Sequence, residues 1–278
     1  MMELYLKNNL EISRLTTTNY STSFSLGVRM LNPEYRRAIY AIYGFVRYAD
    51  EIVDTFLNYD RKTLFEEFEQ ETWKAIERKI STNPILHSFQ WVTNHYKIDH
   101  DLIEAFLYSM KLDLHEQVYD EEMLRTYIYG SAEVVGLMCL KVFYANDPET
   151  YERLKYPARK LGEAFQKVNF LRDASDDFEG KGRIYFKNID FNNFDIETKR
   201  KIESEIALDF KEAQIGIRSL KKEVRFGVFL AYKYYQNLLK KIVAAPPENI
   251  LKQRYRVSNT RKILIMLNTF ARNQVNLL

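Results

Sequence analysis

Signals that begin helices recur along this chain, while the alternating patterns typical of β-strands are scarce. At Asn32-Pro33-Glu34, a capping side chain, a proline whose missing N–H costs nothing and an acid occupy the first positions of a helix. Comparable starts, each followed by apolar residues at three- and four-residue spacing, are found at Asp60, Asn83-Pro84, Asp99, Asp120 and Asp147-Pro148. The pattern predicts an all-α fold with short connections.

The predicted helices leave no linker long enough to divide the chain, and no fixed-period repeat is visible. The longest predicted spans are approximately 33–56, 156–178, 197–220 and 222–243. A loop is expected over 188–194, Pro246-Pro247 breaks the helical pattern, and Ser258 is expected to cap the last helix. Residues 1–278 are therefore predicted to form a single domain.

Composition restricts the class of protein. Apolar residues make up 46% of the chain and charged residues 28%, as in a packed globular protein. The net charge of +3 does not indicate a nucleic-acid partner. A single cysteine, Cys139, excludes an internal disulfide and fits a cytoplasmic location. No signal peptide or run of eighteen apolar residues is present, so we expect no membrane span, while peripheral attachment to a membrane stays open.

The first informative segment is a polar row on the helix that begins at Pro33. At about 100° per residue, Tyr43, Arg47, Asp50 and Asp54 lie within roughly 60° of one another on the helix surface. Apolar residues flank the row on both sides, so its borders are predicted to be buried. Two carboxylates one turn apart beside a guanidinium group therefore indicate more than an ordinary solvent-facing surface.

A second polar row repeats this pattern further along the chain. Gln166, Asn169, Asp173 and Asp177 stand at spacings of three, four and four residues, within roughly 80° on a helix. Either acidic pair alone is weak evidence, because about five such i,i+4 pairs are expected by chance in a helical chain of this composition. For each pair taken separately, an ordinary solvent-exposed helix face is about as good an explanation as a functional site.

The two rows together indicate a metal site. Two such helices facing each other would gather four carboxylates and an amide oxygen around one space. Mg²⁺ prefers oxygen ligands and is typically held by carboxylates plus the phosphates of a substrate. We therefore predict bound Mg²⁺, with Mn²⁺ as an alternative ion, and a diphosphate substrate whose remaining oxygens Arg47 and nearby cations would bind.

Aromatic residues are abundant, with 20 Tyr and 18 Phe, and most of them are expected in the core. An allylic diphosphate that loses pyrophosphate leaves a carbocation, which aromatic faces stabilise and which must be kept from water. The candidates for stabilising the carbocation are Phe24, Tyr43, Tyr129, Tyr185 and the cluster of Tyr232, Tyr234 and Tyr235.

Four sequence blocks occur in a recognisable order. They are Ser21-Thr22-Ser23-Phe24; Tyr43 to Asp54; Tyr129 to Met138; and Gln166 to Asp177 followed by Arg183-Ile184-Tyr185. With these blocks, which span about residues 20–186, the chain resembles the squalene and phytoene synthases, whose members join two prenyl diphosphates head to head. The fourth block is the most specific, because the ordinary chain-elongating prenyl synthases have differently arranged Asp-rich motifs.

The resemblance implies roles for the residues at these positions. The implied metal ligands are Asp50, Asp54, Asn169, Asp173 and Asp177. The implied diphosphate contacts are Ser21, Ser23, Arg47, Gln166, Arg172, Arg183 and Arg261. Near the reacting carbons it implies Tyr43, Tyr129 and Tyr185, which complete the catalytic set with Arg47 and the four aspartates. The implied hydrophobic pocket contains Phe24, Val134, Gly136 and Leu137.

The resemblance also implies an all-α isoprenoid synthase fold around a central cavity, and a reaction in two steps. One diphosphate ionises, and the double bond of the second substrate attacks the cation to give a cyclopropylcarbinyl diphosphate. That intermediate then ionises and rearranges. Phytoene synthases finish by losing a proton, whereas squalene synthases take a hydride from NADPH.

Three features favour the phytoene-type branch: the motifs DEIVD and DASDD, the lack of a C-terminal anchor and the lack of a glycine-rich dinucleotide fingerprint. We therefore expect two geranylgeranyl diphosphates to form phytoene for carotenoid biosynthesis. Squalene or dehydrosqualene formation from farnesyl diphosphate is the close alternative, and only squalene formation would use NADPH.

A non-catalytic helical scaffold and a basic helical binding protein are the alternatives from other classes. The basic run 252–262 is interpreted as a cap near the diphosphate pocket or as a solvated loop.

Overall fold

Helices form all of the regular structure in residues 1–115, 119–176, 194–250 and 252–274, which the computed structural model describes. The helices are α1 Met2–Tyr20, α2 Thr22–Arg29, α3 Pro33–Asp54, α4 Arg61–Arg78, α5 Pro84–Tyr96, α6 His100–His115, α7 Glu121–Ile128, α8 Val134–Phe143, α9 Pro148–Asp176, α10 Ile196–Ser219, α11 Lys222–Val243, α12 Pro247–Ile250 and α13 Asn259–Gln274. The predicted all-α class is confirmed. Within these residues no helix is long and apolar enough to cross a membrane.

Side-chain caps begin most of the helices at the predicted positions. The side chain of Asn32 accepts a hydrogen bond from the backbone N–H of Glu34 at 3.1 Å, so α3 starts where the sequence indicates. Other caps of this kind are provided by Asp60, Asn83, Asp120 and Asp147. Ser258 caps α13 through the N–H of Arg261 at 3.3 Å, as predicted.

One helix boundary differs from the sequence prediction. A separate helix was expected from about Tyr156, but α9 runs without a break from Pro148 to Asp176 and contains Pro157. This proline packs against α10 at Gly216, where an added Cβ would lie 2.4 Å from the ring, so tertiary packing offsets the lost backbone hydrogen bond. The predicted end near Phe178 lies outside the described residues.

The N-terminal region was given no predicted helices, yet it forms α1 and α2. The N-terminus of α1 has no side-chain cap, so the usual start signal is missing. Ser21 separates the two helices because its backbone is extended, and its side chain caps α2 by accepting from the N–H of Phe24 at 3.3 Å.

A π-helical turn, Tyr129–Glu133, joins α7 to α8. It is packed closely by two glycines: a Cβ on Gly130 would lie 2.3 Å from the carbonyl oxygen of Ala105, and one on Gly162 would lie 2.6 Å from that of Ala132. The turn therefore lies directly against α6 on one side and α9 on the other, which brings α8 and α9 together along one wall of a cavity.

The remaining helices surround this wall. Helices α1 and α5 pack behind α3, α10 packs on α9, and α11 packs against α2 and α13. Behind α3, stacked rings fill the core: Phe45 lies parallel to Phe89 with 3.7 Å between ring centroids, and Phe106 lies 5.3 Å away. Such packing leaves the opposite face of α3 directed at the space between α2, α8, α9 and α11.

Candidate active site

A cavity of about 250 Å³ lies between α2, α3, α8, α9, α10 and α11. Apolar and small side chains form nearly all of its wall. The polar residues that line it are Tyr43, Ser131, Gln166, Asn169 and Tyr235. Cys139 also lines it, and burial raises the pKa of its thiol to about 12, so this group is neutral at ordinary pH. The cavity therefore combines an apolar body with a few polar groups.

The first predicted row continues from the wall of this cavity. Tyr43 of α3 lines it and stacks on Phe24 of α2, with 4.8 Å between ring centroids. Burial raises the pKa of the Tyr43 phenol to about 12, although the charge of Arg47 and a hydrogen bond with Ser21 oppose the shift. Tyr43 is therefore a protonated hydroxyl that can donate a hydrogen bond at the cavity wall.

Arg47 lies one turn beyond Tyr43 and pairs with two acids of α3, one of which belongs to the first row. One of its terminal nitrogens donates to Asp50 at 2.5 Å, and the other pairs with Glu51. Its guanidinium also lies over the ring of Tyr20, 4.3 Å from the centroid. The Nε of Arg47 is buried and has no hydrogen-bond partner among the described residues, which leaves a donor for an anionic ligand.

The second predicted row starts on the opposite wall. Gln166 and Asn169 of α9 line the cavity. One turn further, Arg172 forms a bidentate salt bridge with Asp173, in which its Nε lies 2.9 Å from Oδ1. Burial lowers the pKa of Arg172, but the hydrogen bonds with Asp173 and Tyr235 and the nearby charges outweigh burial and raise it overall. Arg172 is therefore fully charged beside the carboxylate.

Arg254, from the segment between α12 and α13, also reaches this acid. Its Nε lies 2.8 Å from Oδ1 of Asp173. Arg254 was not among the predicted site residues. The basic run 252–262 was the available signal, and its interpretation as a cap near the pocket agrees with this contact. Asp173 is thus held by two guanidinium groups from distant parts of the chain.

Tyr235 of α11 contacts the helix of the second row and lies near the first residue of the other row. Its hydroxyl donates to Oδ1 of Asn169 at 3.3 Å and is also hydrogen-bonded with Arg172. It lies close enough to Tyr43 to contribute to the raised pKa of the Tyr43 phenol. Of the three tyrosines considered in this cluster, Tyr235 lines the cavity, whereas Tyr232 and Tyr234 are buried in the core.

Several predicted site residues lie elsewhere. Val134 and Leu137 are buried in the core and do not line the cavity, because α8 presents the face of Val135, Gly136 and Cys139 to it instead. The predicted pocket residues Val134 and Leu137 therefore lie on a different face of α8 from the one that lines the cavity. Gly136 and Phe24 do line the cavity.

Other predicted residues do not line the cavity or lie outside the described part of the chain. Tyr129 lies in the π-helical turn under Arg159, with 5.2 Å from the guanidinium to the ring centroid. Ser23 is half-buried in the first turn of α2, and Asp54 is half-buried at the end of α3. Arg261 is exposed and donates to the side chain of Asn237 at 3.3 Å. Asp177, Arg183 and Tyr185 lie outside the described residues.

The donor groups present fit a hard divalent cation. Among residues 1–115, 119–176, 194–250 and 252–274, no three acid, histidine or cysteine side chains are grouped closely enough to hold a metal by themselves. However, Asp50, Asp54, Asn169 and Asp173 supply oxygen ligands on two helices that both line the cavity, and Mg²⁺ usually completes its coordination with water and substrate phosphate. The chemistry of the set therefore suits Mg²⁺ bound together with a diphosphate.

The fold and this site define an isoprenoid synthase type of enzyme, in which helices enclose an apolar cavity with acids and arginines beside it. Residues 17–261 match the family model described as Squalene/phytoene synthase, so the chain belongs to this family, whose members are prenyltransferases. The resemblance seen in the motifs is confirmed.

Three known proteins illustrate the relationship. The chain is 29% identical to 4,4'-diapophytoene synthase of Staphylococcus haemolyticus over 71% of its own length and 69% of that protein. It is also 29% identical to the chloroplastic phytoene synthase 1 of Zea mays, over 89% of its own length and 64% of that protein. The structure superposes on a dehydrosqualene synthase solved in complex with a ligand, with a TM-score of 0.79, 21% identity and coverage of 97% and 98% of the two chains.

Proposed function

We propose that this protein condenses two molecules of geranylgeranyl diphosphate head to head to form phytoene for carotenoid biosynthesis, in a Mg²⁺-dependent reaction. The observation that supports this most is that the polar rows of α3 and α9 both begin at the wall of one apolar cavity. Tyr43 starts the first row there, and the Tyr235 hydroxyl at the same wall is hydrogen-bonded with Asn169 and Arg172 of α9. The phytoene synthase of maize among its relatives favours the longer substrate.

The first chemical step breaks the bond between C1 of one substrate and its diphosphate oxygen, and the electron pair leaves with the diphosphate. Mg²⁺ held by Asp50, Asp54, Asn169, Asp173 and Asp177 would neutralise charge on that leaving group. The buried, unpartnered Nε of Arg47 can donate to one of its oxygens. Tyr43, which remains protonated because of its raised pKa, can donate a second hydrogen bond.

The cation left behind needs a dry environment and an aligned partner. The apolar wall excludes water, and the stacked pairs Phe24 with Tyr43 and Phe165 with Tyr235 present aromatic rings on two sides of the cavity. The double bond of the second substrate supplies the electron pair for the new carbon–carbon bond and gives a cyclopropylcarbinyl diphosphate. That species loses its own diphosphate and rearranges, and loss of a proton gives phytoene.

Farnesyl diphosphate is the second candidate substrate, because a 4,4'-diapophytoene synthase is among the relatives. Purified protein should be incubated with each diphosphate separately, with Mg²⁺ or EDTA and with or without NADPH. The extracted hydrocarbons should then be identified by mass spectrometry. We expect phytoene from geranylgeranyl diphosphate, in the presence of Mg²⁺ and independent of NADPH.

The same assay distinguishes the alternatives. A C30 hydrocarbon from farnesyl diphosphate alone would assign the shorter substrate, and a requirement for NADPH would indicate squalene. Asp50→Asn should remove at least about 99% of turnover, since metal ions contribute several kcal/mol to such steps. The matched variant Asp101→Asn changes an exposed acid on α6 and should retain activity. Absence of any hydrocarbon with either substrate would favour a non-catalytic scaffold.

A further inference from the structure

Helix α13 exposes a continuous apolar stripe. Ile263, Leu264, Leu267 and Phe270 are 52%, 54%, 56% and 50% exposed. At 100° per residue these four side chains cover about 120° of the helix surface. The opposite side of α13, with Lys262, Ile265 and Thr269, is buried against the protein. A helix that exposes several large apolar side chains on one continuous stripe usually has a contact surface there.

The surroundings of the stripe are basic. The chain from Asn249 to Leu278 contains six Lys and Arg residues and no Asp or Glu. Arg261 and Arg272 are exposed on the flank of α13 between the stripe and the buried face, near the two ends of the helix. Burial lowers the pKa of Lys233 on the adjacent α11, and the charges of Arg272 and Lys240 lower it further. The positive field therefore extends across both helices.

The stripe also lies close to the candidate site. The inner face of α13 packs on α11 and α2 through Ile265, Leu230 and Leu26. The Nζ of Lys262 donates to the side chain of Thr22, the neighbour of Ser21. Helices α2 and α11 both line the cavity with their other faces. One layer of helices therefore separates the exposed stripe from the cavity.

We infer that the α13 stripe docks on the surface of an anionic lipid bilayer. Apolar side chains flanked by arginines are the arrangement by which amphipathic helices lie in the membrane interface, with the apolar face in the acyl boundary and the cations at the headgroups. A second copy of this chain is a poorer occupant. Two copies paired through this stripe would bring together two copies of the same basic segment, which has no acid between residues 249 and 278 to offset the repulsion. This inference does not depend on the proposed function.

The test is sedimentation of the full-length protein with lipid vesicles. Vesicles of phosphatidylcholine alone should be compared with vesicles containing about one third phosphatidylglycerol, which have a negative surface. We expect binding to the anionic vesicles that weakens as salt is raised. The double variant Leu264→Gln/Leu267→Gln should lower the partition coefficient by at least about tenfold. The matched variant Leu208→Gln/Ile215→Gln, on the exposed face of α10, should bind as the wild type does.

The charge contribution is tested separately. Arg272→Gln and Lys252→Gln should each reduce binding to anionic vesicles about fivefold, since a basic residue near such a surface contributes about that factor. The control is Lys201→Gln/Lys211→Gln, which removes two exposed lysines of α10. Circular dichroism should show that every variant is folded. Equal binding of the Leu264→Gln/Leu267→Gln variant and the wild type would overturn the inference. The inference would also be overturned if the protein did not bind vesicles and analytical ultracentrifugation showed a concentration-dependent dimer that this variant abolishes.

Discussion

The hydroxyl of Tyr235 lies 3.3 Å from Oδ1 of Asn169 and donates a hydrogen bond to it. This contact joins α11 to the polar row of α9, and the ring of Tyr235 stacks on Phe165 with 3.9 Å between centroids. Asn169 is one of the proposed metal ligands, so we propose that Tyr235 acts as a positioning residue that orients Asn169. The ring of Tyr235 also forms part of the cavity wall.

Replacing Tyr235 with Phe tests this relationship. The stacking on Phe165 is retained and only the hydroxyl is lost, so we expect stability to change by less than about 1 kcal/mol and turnover to fall about tenfold. Steady-state kinetics should show that the Mg²⁺ concentration for half-maximal activity rises. Tyr232→Phe is the control, because that hydroxyl lies on the same helix and accepts a hydrogen bond from Gln236 instead. A Tyr235→Phe enzyme with unchanged Mg²⁺ dependence would contradict the positioning role.

The two proposed metal-binding acids should differ in their effect on stability. Asp173 is paired with both Arg172 and Arg254, so Asp173→Ala leaves the partly buried Arg172 and the exposed Arg254 without this partner and should cost about 1–3 kcal/mol. Asp50→Ala should cost less than about 1 kcal/mol, because Arg47 keeps Glu51. Urea unfolding checks the difference. Both variants should lose Mg²⁺-dependent turnover, and equal stability losses would refute the ion-pair explanation.

Tyr43 should make stability dependent on alkaline pH. Its pKa in the folded protein is about 12, above the ordinary value of 10, because burial disfavours the phenolate. The contribution of the neutral Tyr43 phenol to folding stability is therefore fully present below pH 10 and is lost as the pH rises towards 12. At pH 11 the loss from this group should be about 1 kcal/mol. Urea unfolding of the wild type and of Tyr43→Phe at pH 8 and pH 11 measures it. The variant should lose less stability over this interval, and an identical loss in both proteins would disprove the assignment.

The close approach of α9 to the π-helical turn should make Gly162 sensitive to substitution. A Cβ at Gly162 would lie 2.6 Å from the carbonyl oxygen of Ala132 and 2.9 Å from Cα of Glu133, and these backbone atoms can move only with the helices. We expect Gly162→Ala to cost about 1–3 kcal/mol in the free energy of unfolding. Gly44→Ala is the control, because its Cβ would meet only side-chain atoms at 3.3 Å. A Gly162→Ala protein as stable as the Gly44→Ala protein would show that the turn adapts.

Local sequence signals predicted the elements well where a cap was present. Asn32, Asp60, Asn83, Asp120 and Asp147 each satisfy free N–H groups at the beginning of a helix, a short-range interaction that the sequence displays directly. Helix α1 has no side-chain cap and was missed. The break expected before Pro157 was wrong, because packing of that proline on α10 compensates for its missing N–H.

The sequence by itself determined which polar residues share a helix face. The spacing of Tyr43, Arg47 and Asp50, and of Gln166, Asn169 and Asp173, places each row on one side of a helix, since helical periodicity is local. Only the tertiary structure decided which groups meet. The contacts of Arg254 with Asp173 and of Tyr235 with Asn169 join residues far apart in the chain, and such pairings depend on how the helices pack. For the same reason the packing of α8, and not its composition, decided that Gly136 lines the cavity while Val134 and Leu137 fill the core.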